Sequence, residues 1–523
     1  MRIAMTLQHE WKIDSRVIRE AEALVGAGHQ VLVVCRSAAE REQSETQNGV
    51  VYRSLPRTPS VTSRQLLALF LVHLRVYSLW LGSRFAISWR CGLRETWRAL
   101  RLLILLIPLP ILGAIAKLLQ VLFALPVRGL LRAVFRGAFR LARPVTRLVL
   151  TAENRAAIWS AYQRWLELRN GFQSRIRARI SQWISRVRTT ARSYVEPLVH
   201  LNDYAVSCAG SIVEWRPDIV HIHDMVCMSG GYLAARKLGV PFVYDAHELE
   251  THTNYHLGRL TWLFIDRYQY ALIRRAAKVI TVCDSIADWL SRKYHIERPT
   301  VILNTPALDR ERNSSASGKT LRGCLGLTHG EKLAVYVGAV TIDRGLEHCV
   351  EALQFAPDIH LALVGARYSV TEELLKRLAD QFAVAERFHL VDPVPGKEVV
   401  SFIQSADFSV IPIQNVCLSY YYCMPNKLLE SVVGGLPVAI ARLKELRSFL
   451  DRFPVGIAMD ESSPESIALA MRVLAKDAAK YRPTPEQISA IVASYGWESQ
   501  RAKLVSLYRV LAEQDSSRNR KAA

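Results

Sequence analysis

Apolar runs of strand length alternate with helix-length segments at both ends of this chain, and that alternation constrains the fold more than any other feature. A strand followed by a helix and then another strand pairs in parallel, because the helix carries the chain back to the edge where the next strand starts. The pattern predicts strands at 2–7, 30–35 and 50–54, with a helix over 15–27 that Gly28 stops. It resumes after Leu201 with strands at 219–222, 241–245, 278–282 and 300–303. A polar stretch at 309–323 reads as a linker. Beyond it a second set is expected at 333–337, 360–364, 387–391, 408–411 and 437–441, closed by an amphipathic helix at 494–514. The expected organisation is α/β: a Rossmann-like domain at 1–306, a second at 324–493, and the closing helix.

A basic block interrupts the first domain. Residues 64–200 hold 23 Lys and Arg but only four acidic residues, Glu95, Glu153, Glu167 and Glu196, a balance of +19 in a chain whose total is +21. The same block has six of the 11 tryptophans and the most apolar stretch of the chain, 102–125. Arg128, Arg132, Arg136 and Arg140 recur every four residues with Leu131, Val134, Phe135 and Phe139 between them, the two-faced pattern of an amphipathic helix. Residues 172–194 repeat the design. Arginine interleaved with leucine and tryptophan points to an anionic membrane surface, since binding to a nucleic-acid backbone needs the arginines but no leucine-rich segment. A single span through 102–125 is disfavoured. Pro108 and Pro110 break its middle, arginines flank both ends, and one crossing would put the first strands of the sheet on the wrong side of the membrane. The expectation is a helical membrane-associating insertion at 60–200 that lies in the interface plane or re-enters the same face.

The nine cysteines form no C-x-x-C pair, and Cys417 and Cys423 have no histidines at zinc spacing, which fits a reduced compartment. The opening MRIAMTLQHEW runs straight into a strand without the apolar core of a signal peptide. The protein is therefore expected in the cytoplasm, peripheral or monotopic on the inner face of the cell membrane.

Two Rossmann-like domains in tandem bind ligands between the carboxyl ends of their sheets. In LAVYVG the strand ends on Gly338, and Arg344 and Gly345 follow at the start of a helix, where a cation suits a diphosphate. In MPNKLLESVVGGLP, Asn426 opens a helix that sets Lys427 and Glu430 three apart on one face. A phosphate-binding cation and a hydroxyl-binding carboxylate can then address one nucleotide. Asp245, His247 and Glu248 follow a strand at the cleft edge of the first domain. His221 and His223 share one face of another strand and read as structural, with Asp224 next to them bordering an acceptor.

These segments resemble the retaining glycosyltransferases of family 4, which have the GT-B fold. The resemblance rests on DSRVIREAEALVGAGHQVLVV, RPDIVHIHD, PFVYDAHELE, AAKVITVCDSIADWL, YVGAVTIDRGLEHCVEAL and PNKLLESVVGGLPV, in that order, and covers nearly everything but the basic block. It implies that Arg344 and Lys427 hold the diphosphate of a nucleotide sugar, that Glu430 bonds the ribose, and that Gly338 lets the backbone approach the donor. It makes His247 the residue that touches the transferred sugar or acceptor near the reacting carbon. Two positions depart from the family pattern. Ala339 stands where many members have an arginine, and Tyr422 stands where many have a glutamate that contacts the donor sugar.

The expected activity is retaining transfer of a sugar from a nucleotide sugar to a lipid-linked or cell-surface glycan precursor, with catalysis by His247, Arg344 and Lys427. Gly338, Arg344, Asn426, Lys427 and Glu430 would bind the donor, and Asp224, Asp245 and Glu248 would face the acceptor. No metal or other cofactor is expected, because the two cations can stabilise the departing phosphate. Partners would be the donor, the acceptor and an anionic membrane, but no nucleic acid. Front-face attack is favoured over a short-lived covalent intermediate. The other readings are a nucleotide-sugar epimerase of the same fold and a non-catalytic membrane-binding scaffold.

Overall fold

The computed structural model describes residues 1–37, 41–56, 204–254, 259–305 and 318–522. The basic insertion, its apolar run and both of its expected helices lie outside the described residues.

The first sheet contains β1 (Arg2–Thr6), β2 (Gln30–Ser37), β3 (Gln43–Gln47), β4 (Val50–Pro56), β5 (Ile219–His223), β6 (Phe242–Ala246), β7 (Lys278–Thr281) and β8 (Thr300–Val301). Their order across the sheet is β3-β4-β2-β1-β5-β6-β7-β8, parallel except for β3. Successive side chains go to opposite sides. Ile3, Met5, Val31 and Val33 enter one core while Ala4, Leu32, Val34, Val220 and Ile222 enter the other. Both faces are therefore covered, which is why these strands read as continuous apolar runs. The Ser15–Gly26 helix starts where the Asp14 carboxylate accepts from the Arg16 and Val17 amides at 3.1 and 3.0 Å, and buries Val17, Ala21 and Leu24.

The second sheet contains β9 (Lys332–Val337), β10 (Ile359–Val364), β11 (Phe388–Val391), β12 (Phe408–Ile411), β13 (Val438–Ala441) and β14 (Gly456–Met459), in the order β11-β10-β9-β12-β13-β14. The strand order reverses at β1 and β5 in the first sheet and at β9 and β12 in the second, the places where open α/β sheets accept ligands.

Three features depart from the sequence reading. β3 is an additional antiparallel edge, and its fully exposed QSETQ has no apolar alternation to reveal it. β14 extends the far edge of the second sheet beyond the last expected strand. The expected linker ends in folded structure. Arg322 is buried, donates to the Ser405, Thr328 and Glu331 carbonyls and pairs with Asp407 at 2.7 Å.

Helices Pro485–Tyr495 and Trp497–Ala522 bring the chain back to the first domain. There Leu504, Tyr508 and Leu511 pack against β1 and β2. Among the described residues no helix is long and apolar enough to cross a membrane.

Candidate active site

Residues from both sheets line a cavity of about 590 Å³. On the second-domain side, the chain leaves β9 through Gly338 at φ +125 and turns through Asp343 at φ +61 and Gly345 at φ +70. Side chains are excluded at Gly345 and at Gly365. A Cβ on Gly345 would run into the Pro412 carbonyl, and one on Gly365, at φ +155 beyond β10, would run into the Gly338 carbonyl. At Gly338 the missing side chain leaves room for a cation, since a Cβ there would lie 3.1 Å from Lys427 Nζ.

Lys427 and Arg344 each lie against an aromatic ring. Lys427 Nζ sits 3.7 Å from the centre of the Tyr336 ring, and the Arg344 guanidinium is 4.9 Å from that of Tyr420. Burial, aided by the Arg344 charge, lowers the Lys427 pKa to about 7. Glu430, one turn along the Asn426–Val433 helix, is driven the other way to about 7 by burial, against the pull of Lys427 and Arg19. Asn426, at the start of that helix, also lines the cavity. Burial thus weakens the charge on both groups that would meet a nucleotide.

On the first-domain side, His247 and Glu248 line the cavity directly after β6. His247 Nδ1 lies 3.1 Å from Asp224 Oδ2, and Nε2 lies 3.4 Å from Asp245 Oδ2 and 3.1 Å from His223 Nδ1. Burial alone would lower the His247 pKa, but Asp224 and Asp245 raise it well above the ordinary value. Asp224 holds its place at φ +57, a left-handed backbone unusual for a residue with a side chain. Burial and Asp224 raise the Glu248 carboxyl above its ordinary range. Of the three residues expected to face an acceptor, only Glu248 reaches the cavity wall. Asp245 is fully buried and Asp224 stands behind His247, because both carboxylates are turned onto its ring.

The donor residues expected from the sequence, Gly338, Arg344, Asn426, Lys427 and Glu430, are brought to one cavity, with His247 opposite. Sequence reasoning missed Tyr336, Tyr420, Ser419 and Asn304, which line the same space. Tyr336 was within reach, standing two before Gly338 on the same strand face. Tyr420 sits on a four-residue helix, Leu418–Tyr421, that has no periodic signal. At the two atypical positions, Ala339 uses its carbonyl to accept from the Tyr336 hydroxyl at 3.0 Å, and Tyr422 lies under Lys444. The domains also touch near the cavity. Asn254 donates to Asp343 at 2.9 Å, and the Ser285 amide to Glu445 at 2.9 Å.

Comparison with known proteins agrees with this geometry. The model of Glycosyltransferase Family 4 matches residues 183–310, and that of Glycosyl transferases group 1 matches 319–490. A D-inositol 3-phosphate glycosyltransferase of Thermobispora bispora is 24% identical over 319 residues, 56% of this chain and 70% of that protein. A 2-deoxystreptamine N-acetyl-D-glucosaminyltransferase of Streptomyces fradiae is 25% identical over 343 residues, 60% and 78% of the two chains. Among solved structures, the sucrose-phosphate synthase of Thermosynechococcus elongatus superposes with a TM-score of 0.60 at 14% identity, covering 98% of this chain and 100% of that one. At that identity the match speaks to the fold, two α/β domains in the GT-B arrangement.

Proposed function

This chain belongs to the family 4 glycosyltransferases and draws on a nucleotide-sugar donor, and we propose that it transfers the sugar with retention to a lipid-linked or cell-surface glycan precursor at the cytosolic membrane face. One observation carries the donor assignment. Arg344 and Lys427 line one cavity, each against a tyrosine ring, with Lys427 beside the open backbone at Gly338 and Glu430 one turn beyond it. The two cations suit a diphosphate, Gly338 lets it approach the main chain, and Asn426 and Glu430 suit the nucleoside end.

As the bond from the anomeric carbon to the diphosphate breaks, negative charge grows on the leaving phosphate oxygen. Arg344 and Lys427 line the cavity where that charge would develop, and fixed cations there stabilise it. They supply the positive charge that transfer requires, so we read the reaction as metal-independent. A bound diphosphate would also restore the Lys427 proton that burial weakens. His247 approaches the developing oxocarbenium from the opposite domain, and Glu248 beside it faces the acceptor. Asp224 and Asp245 act behind His247. Glu248 is read as facing the acceptor and Glu430 the ribose, so front-face attack by the acceptor hydroxyl is the reading we favour. The membrane assignment is supported by the +19 balance and leucine-rich run of residues 64–200.

A donor screen tests this reading. Purified protein is titrated with UDP, GDP and ADP sugars, with and without EDTA, and the anomeric configuration of the product is read by NMR. One donor should be turned over with retention and without metal. Inversion, or full loss of turnover in EDTA that added metal restores, would refute the corresponding part.

A further inference from the structure

Behind His247 lies a buried polar group that the transfer chemistry leaves unexplained. Arg16, Glu20, His221, His223 and Asp245 are all buried, an expensive arrangement unless the charges satisfy one another. Asp245 accepts two bonds from Arg16, from Nε and Nη2 at 2.9 Å each, while Arg16 Nη1 donates to the Ile302 carbonyl at 2.8 Å. The guanidinium is held on three sides and cannot turn. Glu20, one helical turn on, sits 3.1 Å from Arg16 Nε. His221 and His223 stack at 4.3 Å, and the Tyr508 hydroxyl holds His221 Nδ1 at 2.7 Å.

Ligand atoms of Glu20, His221, His223 and Asp245 all lie within 4.8 Å of one another, close enough to hold a cation. The Arg16 guanidinium already touches both carboxylates and supplies that positive charge. Its effect passes outward instead, since one of the two Asp245 oxygens it grips, Oδ2, faces His223 Nδ1 at 3.3 Å and His247 Nε2 at 3.4 Å.

We propose that Arg16 is a positioning residue for sugar transfer: by clamping Asp245 through two hydrogen bonds, it sets the carboxylate against which the His247 ring is aligned toward the cleft. The proposal rests on the reading that His247 acts at the transferred sugar. The groups around the ring are Asp224, Asp245 and His223 in contact, Arg16, Glu20 and His221 behind, and Glu248 and Glu250 on its own loop. Burial opposes ionisation of Asp245, but Arg16 and His247 hold its carboxyl well below the ordinary range, so it remains an anion. Loosening that anion should let His247 lose its proton at lower pH.

The experiment uses the full chain with Arg16→Lys and Asp245→Asn, and Tyr508→Phe as a structural control. Calorimetric titration with the cognate nucleoside diphosphate counts folded donor sites, which belong to the other sheet. Per competent site, kcat should fall by about tenfold or more in both variants, the scale on which a misplaced group slows a reaction. The donor KM should stay within about twofold, and the alkaline limb of the kcat profile should move to lower pH. Tyr508→Phe should lower Tm and leave both kcat and the profile unchanged. If Arg16→Lys yields no competent sites, Asp245→Asn decides. Unchanged kcat per site with an unmoved profile overturns the proposal. If His247→Ala also leaves kcat intact, the reading of His247 itself fails; if His247→Ala is slow while these variants are not, only the clamp fails.

Discussion

Replacing Lys427 with methionine should stabilise the empty enzyme while disabling its donor site, an opposition that follows from where the amine is buried. In an unfolded chain its pKa is near 10.5; in the fold, burial and Arg344 bring it to about 7. A lowered lysine pKa means that folding releases a proton, so the residue weakens the fold below pH 10.5, increasingly down to about 7. Each unit is worth about 1.4 kcal/mol, which puts the full penalty, approached as pH falls through 7, at about 5 kcal/mol. Water in the open cavity screens part of it, leaving about 1–3 kcal/mol for methionine to recover.

Binding a diphosphate favours the charged amine, so donor affinity should be greatest below pH 7 as far as Lys427 is concerned and weaken as pH rises above it. Glu430 acts with the opposite sign. Its pKa is raised to about 7, and the ionised form is the better acceptor for ribose hydroxyls, so affinity should also weaken as pH falls below 7. Calorimetric titration of the cognate nucleoside diphosphate from pH 5.5 to 9 should give a maximum near neutrality. Lys427→Met should lose the alkaline slope and bind weakly at every pH, while differential scanning calorimetry should record a higher Tm. A destabilised variant, or wild-type affinity with the alkaline slope intact, would refute the reasoning.

Glu430→Gln should keep the fold, weaken donor binding by about tenfold, the worth of one charge-assisted bond, and lose the acidic slope; wild-type KM would count against its contact with the ribose. His247→Ala should lower kcat with only a modest change in nucleotide affinity, and the reverse pattern in steady-state kinetics would move His247 to the donor. Gly365→Ala should destabilise the second domain by about 2 kcal/mol or more in urea unfolding, because the new methyl meets the Gly338 carbonyl in a backbone region that favours glycine. Deleting residues 64–200 with a short linker should abolish sedimentation with anionic vesicles yet preserve nucleotide-sugar binding. Labelling of Arg57 and Asp203 from opposite sides of a membrane would establish a span and overturn the in-plane reading.

The sequence by itself determined most of the strands, their parallel pairing and the donor motif, because each is written in short-range spacing. Continuous apolar runs of strand length need two covered faces, Gly338 and Gly345 mark turns that side chains would disturb, and Lys427 and Glu430 share a helix face whatever surrounds it. Only the tertiary structure decided what those residues meet. Arg16 and Asp245 are 229 positions apart, and His221 and Tyr508 are separated by 287; each pair is joined by sheet order and the return of the last helix. Asp245, expected to face an acceptor, is buried for the same reason. Asp245 stands near the carboxyl end of β6, close to the cleft, but inside the strand, and the pairing of β5 with β6 and the packing of the Ser15–Gly26 helix turn its carboxylate inward onto Arg16 and His247. Local spacing sets which face a side chain takes, whereas the charges that face it across the core depend on neighbouring elements that no local pattern encodes.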